Sequence, residues 1–350
     1  MTIVRSIYPS EQVTRKAPCN LVQADEKHFG GPSYLFTSQP SFLVKYKGCL
    51  VSNRGIIFKY GFPQKEFIVC YEEDFKAFKW RYTANMFWRE KKINLPSDVT
   101  YLLIFDNYSG PGGFAHWISD GLTKLVELSA ELQQCTLLAP YYFQTEPIYL
   151  QSLKCFEWKD IFFIPENAYV SVPNLLACTP ITSSGDYLPQ NVNKLRDRVW
   201  KHLDLNSVHG KGSLIYISRK KASRRFVLND EEVVSALLPL GFSVLCLEDY
   251  SFSEQAAIAR EAKILISIHG GALANIHFMK PDSSVLEFRK SNDADNCLFF
   301  SLADALHVNY YYQSCRTQEN SSNANDFDLI VDTQALLQHI NNIQHHTSKA

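Results

Sequence analysis

Residues 213–288, SLIYISRKKASRRFVLNDEEVVSALLPLGFSVLCLEDYSFSEQAAIAREAKILISIHGGALANIHFMKPDSSVLEF, decide the fold. Four short runs within it are apolar and rich in β-branched residues: SLIYIS (213–218), FSVLCL (242–247), ILISI (264–268) and SVLEF (284–288). Such runs fit strands buried on both faces. The intervals between them carry helical patterns over 230–240, 253–262 and after 268. Asn229 at an N-cap, Glu232 three residues on and Gly241 past the end predict a reciprocally capped first helix. Strands alternating with helices of about ten residues predict a parallel, doubly wound α/β sheet.

In such a sheet ligands sit beyond the carboxyl ends of the strands. After the first strand comes Arg219-Lys-Lys-Ala-Ser-Arg224-Arg225, five cations in seven residues. A solvated loop would account for an isolated charge run, but at this edge of the sheet guanidinium forks also match phosphate oxygens. After the third strand, His269-Gly270-Gly271-Ala272-Leu273-Ala274-Asn275 lets the backbone turn tightly into a helix, leaving amide N–H groups for an anion. Close packing of helix on sheet is the alternative for the glycines, and a hydrogen-bonded structural role the alternative for His269. Glu287, inside an apolar strand, is either a partnered core carboxylate or an acceptor for ribose hydroxyls.

Upstream, YLLIF (101–105) predicts a strand, Gly110–Gly113 a glycine-rich turn, and 114–132 a helix. His116 and Asp120 are four apart, so helical spacing puts them on one face. A carboxylate holding an imidazole suits a general base, although such a pair is also an ordinary surface contact. Short strands follow to 188, then a helix at 189–203 with apolar Val192, Leu195, Val199 and Leu203, and a polar linker over 204–212. Residues 41–70 read as antiparallel hairpins broken at Lys47-Gly48 and 53–55, and 1–40 as an irregular arm. Near the end, SSNAND (321–326) is a loop, and Asp332 caps a helix striped by Leu336, Leu337, Ile340 and Ile343.

At 350 residues the chain is long for one core, which predicts two domains. Residues 1–204 are expected to form an N-terminal domain (β-rich entry 1–95, Rossmann-like 96–204). Residues 205–320 are expected to form a C-terminal Rossmann-like, nucleotide-binding domain, and 321–350 a helix packing back toward the N-terminal part. Lys plus Arg is 35 against 36 Asp plus Glu, which argues against a nucleic-acid partner. No segment approaches the ~20 apolar residues of a membrane span, and the start lacks a signal-like apolar run. The expected location is cytoplasmic, with a peripheral position at the inner face of a membrane left open and the oligomeric state undefined. Nine scattered cysteines, without CxxC or zinc spacing, read as buried free thiols. Aromatics at 13% read first as core and second as a sugar-pocket lining. Asp293-Ala-Asp295 is the nearest thing to a metal-binding pair, and no metal ligands are assigned. No G-x-G-x-x-G follows a strand, so a nicotinamide-dependent Rossmann enzyme is disfavoured.

These pieces, in order, resemble glycosyltransferase family 61 from about Ser213 to Cys315. YISRKKASRRFVLNDEEV is similar to the family's Ser-Arg, Arg-Arg and Asn-acidic-Glu-Val block, and HGGALANIHFMKPDSSVLEF to its His-Gly-Ala-Gly-Leu block with the later Pro and Glu. HWISDGL is similar, more loosely, to its His and Asp four apart. One departure is visible: Gly271 and Ala272 exchange the family's small residues. The resemblance implies a GT-B type enzyme, two Rossmann-like domains facing a cleft, inverting, with no cofactor and no obligatory metal. It further implies a nucleotide-sugar donor, UDP-linked by default, and a glycan acceptor in surface polysaccharide or glycan biosynthesis. Arg219, Arg224, Arg225, Asn229, His269, Gly270, Gly271, Ala272, Leu273, Asn275 and Glu287 would hold the donor, and His116 with Asp120 would act as base. The competing expectation is an inactive carbohydrate- or nucleotide-binding scaffold, disfavoured because His116, Asp120, Arg219, Arg225 and His269 are all present.

Overall fold

A computed structural model describes residues 1–29, 34–68, 88–110, 113–208, 210–291, 297–319 and 327–347. Cys70, Pro111-Gly112, Asp293–Asp295 and the SSNAND loop lie outside the described residues. The chain is mixed α/β and divides into two units: Met1–Gln12 with Thr37–Ser184, and Val13–Phe36 with Gly185–Ala350. Among the described residues no helix is long and apolar enough to cross a membrane.

The first unit is built on one mixed sheet. Strands run in the order Asp160–Ile164, Thr136–Pro140, Tyr101–Leu103, Ala168–Cys178, Ser41–Ser52, Ile57–Lys59 and Phe62–Pro63. The first four are mutually parallel, and Ala168–Cys178 pairs antiparallel with Ser41–Ser52. Two expectations are corrected here. The Lys47-Gly48 break is no turn, because Ser41–Ser52 is one continuous strand. Its register with Ala168–Cys178 is interrupted where Gly48, at φ +61°, faces Pro173, which has no N–H to give the ladder. Nor is 1–40 irregular throughout: Thr2–Tyr8 is a strand paired antiparallel with Ser41–Ser52.

The second unit carries the expected sheet. Its order is Ser243–Leu245, Leu214–Ile217, Ile264–Ile268, Ser284–Lys290, Asn309–Glu319 and Phe327–Ile330. The first five strands are parallel and the last is antiparallel. Ile215, Ile266, Leu286 and Phe288 are wholly buried along the strands, and Leu336, Ile340 and Ile343 pack one face of the last helix into the same core. Leu337 departs from the predicted stripe and is exposed. Asp332 caps that helix, accepting the N–H groups of Gln334 and Ala335.

Capping of Asp230–Leu237 differs from expectation. Asn229 makes no cap hydrogen bond, because its side chain is occupied by the backbone N–H and carbonyl of Val331 and by the Glu232 carboxylate. The reciprocal box occurs instead at Ser251 and Glu254, ahead of Phe252–Glu261. Gly241 ends the helical stretch in the left-handed region at φ +83°.

Candidate functional site

Strand Leu214–Ile217 lies between Ser243–Leu245 and Ile264–Ile268, so the connection leaves it in one direction and the rest of the sheet extends in the other. That is the topological switch point, and the loops after Ile217 and Ile268 meet at its carboxyl edge. Gly270 shows how closely: a Cβ there would stand 3.1 Å from Arg219 Nη1 and 3.7 Å from Arg225 Nη1. Two guanidinium groups therefore converge on the first glycine of the His269–Leu273 turn.

The basic loop is held from both sides. At its start, Asp230 is buried and accepts from the Tyr216 hydroxyl at 2.5 Å and from Ser218 Oγ at 3.0 Å. At its end, Phe226 N–H donates to Asp328 at 2.7 Å and Leu228 N–H to the Leu329 carbonyl at 2.8 Å. Arg219 spends Nε and Nη2 on the carbonyls of Arg225 and Arg224. That leaves its Nη1 toward Gly270 and fixes the loop's curvature. Lys221 turns to Asp249 at 2.5 Å, and Arg224 is exposed. Arg225 sits at φ +61°, with its guanidinium 5.7 Å from the Phe327 ring centroid.

His269–Asn275 forms a tight turn entering the 3-10 segment Gly271–Phe278, with Leu273 N–H bonded to the Gly270 carbonyl at 2.9 Å. Leu273 is wholly buried and anchors the turn. A Cβ at Gly271 would meet open space, so exchanging the small residues at 271 and 272 is sterically free. Asn275 is buried and donates to the Ala272 carbonyl at 3.1 Å and to Gln255 at 3.4 Å.

Glu287 is 0 % exposed, and its two oxygens are taken by His269 Nδ1 and the Tyr310 hydroxyl. Arg289 Nη1 reaches Tyr310 at 3.4 Å and stacks over Phe29 at 4.6 Å. Of the two roles considered for Glu287, the structure gives it the partnered core carboxylate. Burial would push this carboxyl up, but the facing His269, with Arg289 and Tyr310, outweighs burial and holds it below the ordinary carboxylate range. Its effect is to fix the His269 ring through Nδ1. Asn229, bound to Val331, serves the same unit by tying the start of helix Asp230–Leu237 to the strand end at residue 331.

In the first unit, His116 Nδ1 lies 2.9 Å from Asp120 Oδ2, and Ser184 Oγ donates to the same carboxylate at 3.3 Å. The residues after His116 form a single π-turn, Trp117–Leu122, a feature frequent at functional sites. Trp117 is wholly buried, with its indole N–H on Ser152 at 2.8 Å. Gly121 is required because a Cβ would lie 2.4 Å from the Trp117 ring. Burial would lower the His116 titration, but the hydrogen bond and charge of Asp120, with the charge of Asp106, raise it above the ordinary imidazole value. Among the described residues no three His, Cys, Asp or Glu side chains form a metal-ligand group.

Sequence reasoning missed Asp230, Tyr310 and Ser184. An acidic residue just inside a helix was the available signal for Asp230. Nothing local marks Tyr310 or Ser184, whose partners are 23 and 64 residues away. No curated protein matches the chain. Residues 114–286 match the family described as Glycosyltransferase 61. The matched span contains His116 and Asp120 at one end and Arg219, His269 and the glycine turn at the other.

Proposed function

Because the chain belongs to the glycosyltransferase 61 family over residues 114–286, we propose that it transfers a sugar, with inversion, from a nucleoside diphosphate donor to a glycan hydroxyl. UDP is the proposed nucleotide and a surface polysaccharide or related glycan the proposed acceptor. The architecture proposed with this is GT-B type, 205–320 serving the donor and 1–204 the acceptor, in the cytoplasm or at the inner face of a membrane. The observation that carries the assignment is the convergence of Arg219 and Arg225 on Gly270 at the sheet's switch point. Guanidinium forks and the turn's amides can take the charge that builds on the leaving diphosphate, without a resident metal. His269, its Nδ1 occupied by Glu287, keeps Nε2 as the ring's remaining polar atom for the donor.

On the acceptor side His116 Nε2 takes the hydroxyl proton while Asp120 holds Nδ1. The acceptor oxygen then attacks the anomeric carbon, and the bond to the diphosphate oxygen breaks with its electron pair leaving on phosphate. Charge-assisted hydrogen bonds are each worth about 1.5–3 kcal/mol. Arg225→Ala should therefore weaken UDP binding by roughly tenfold or more in calorimetry, with the fold intact. Unchanged affinity in Arg219→Ala, Arg224→Ala and Arg225→Ala alike would remove the phosphate clamp. A nucleotide-sugar panel with mass spectrometry of the products, repeated in EDTA, identifies the donor and tests metal independence.

A further inference from the structure

Beside the His116 turn lies a buried ion pair that the proposed chemistry does not use. Asp106, just beyond the strand Tyr101–Leu103, is 4 % exposed, and Lys124, two turns past His116, is 8 % exposed. Lys124 Nζ meets Asp106 Oδ2 at 3.0 Å. The other carboxylate oxygen gathers three donors: Tyr108 N–H at 3.0 Å, Ser109 N–H at 3.1 Å and Ser109 Oγ at 3.0 Å. These bonds fold 106–109 into a fixed turn, closed further by the Tyr142 hydroxyl on the Ser109 carbonyl. The turn sets Tyr108 against the imidazole of His116, with ring centroids 5.0 Å apart and planes at 61°. Gly55 leaves room for the turn, since a Cβ there would be 2.8 Å from Asp106 Cα.

A buried ion pair is weak as a source of stability, because desolvating both charges largely cancels their attraction. Here its geometry serves something else: one carboxylate links the helix that carries His116 to the turn that abuts the same ring. We propose that Asp106 and Lys124 are positioning residues for His116, the ion pair bracing the 106–109 turn so that Tyr108 and Asp120 hold the imidazole in one orientation. The role rests on His116 being the base, but the brace itself can be read without turnover. The groups that meet the imidazole are Asp120 from its own helical stretch, Tyr108 from the braced turn and the Ser184 hydroxyl; the charge of Asp106 also acts on it, and Lys124 lies against Asp106. Asp106 is one of the charges that lift the His116 titration, with Asp120.

The test uses the full chain and the pH titration of ¹⁵N-labelled imidazoles, His116 being assigned by its loss in His116→Ala. Replacing both charges together, Asp106→Asn with Lys124→Met, leaves no unpaired buried ion, a change that proteins often tolerate. The folded double variant should show the His116 midpoint lowered by about half a pH unit or more, and a changed ring-current shift from Tyr108. An unchanged midpoint and shift would overturn the brace. If the double variant does not fold, Tyr108→Leu reads the same contact with the ion pair in place. Its turnover should fall several-fold at unaltered donor KM, with Tyr108→Phe restoring it, and wild-type turnover in Tyr108→Leu would equally overturn the proposal. His116→Ala separates the two ideas: if it keeps full turnover, the base assignment fails while the imidazole titrations still decide the brace.

Discussion

Gly270 and Gly271 are adjacent and chemically identical, yet their surroundings assign them different work. A methyl group on residue 270 would press within 3.1 Å of the Arg219 guanidinium, whereas one on residue 271 would meet nothing within 4 Å. Gly270→Ala should therefore displace Arg219 and weaken UDP binding by about fivefold or more, and Gly271→Ala should bind within about twofold of the parent, both by calorimetry. Equal effects at the two positions would mean that the guanidinium does not lie over the turn. His116 makes a second residue-level prediction, from the direction of its titration. Its folded value is raised above the unfolded ~6.5, so its contribution to stability is fully present below about pH 6.5 and is lost as pH rises through the folded value. The denaturation midpoint of the parent should fall across that window relative to His116→Gln, whose pH dependence there should be flatter. As a base the same group is active when deprotonated, so the acid limb of kcat/KM should have its midpoint above 6.5.

At the scale of elements, the stretch 114–134 separates what sequence encodes from what packing decides. Its helical period is real, but the helix is not continuous: a π-turn at Trp117–Leu122 and a break after Leu125 divide it, and Ser129–Gln134 resumes it. The period could not reveal the π-turn, because one extra residue per turn is imposed by the Trp117 indole lying across Gly121. Gly121→Ala forces that ring aside, an overpacking that costs about 1–3 kcal/mol. The expected result is a melting midpoint several degrees lower, with loss of the fixed His116–Asp120 contact in the imidazole titration; a variant melting with the parent would show that the turn relaxes freely. The strands of the second unit were legible because runs such as Ile264–Ile268 are buried on both faces and apolar throughout. Ala168–Cys178 was not, although it pairs with Ser41–Ser52 on one side and with Tyr101–Leu103 and Lys91–Asn94 on the other, because Pro173 interrupts its sequence signal. Asn229 and Ser251 carry the same spacing to a glutamate. Only the distant backbone of Val331 decides that the first does not cap its helix.

For the whole molecule, the candidate residues fall into two sets that the chain keeps in different units: His116 and Asp120 in the first, and Arg219, Arg225, His269 and Glu287 in the second. The second unit also recruits residues 13–36, where Phe29 packs edge-on against Phe300 at 5.4 Å and on Tyr312 at 4.7 Å. Contacts that bridge residue 29 to residues 300 and 312 leave no local trace, which is why that stretch reads as patternless in sequence. The partition predicts that variants sort by unit. A group that acts only on the acceptor proton contributes to the transition state and not to the ground-state hold on the nucleotide. His116→Ala should accordingly lower kcat by about 10²–10⁴-fold while UDP affinity stays within about twofold. Arg225→Ala should weaken UDP binding and leave the His116 titration where it is. Asp120→Ala separates two forms of the mechanism. If Asp120 only orients the ring, its loss costs less than that of His116 and lowers the imidazole midpoint, because the partner that lifts it has gone. If instead Asp120→Ala is inactive and His116→Ala turns over normally, the carboxylate is the base and the histidine serves it. Should both variants keep full turnover, the proton leaves the acceptor by another group and the π-turn is not the catalytic element.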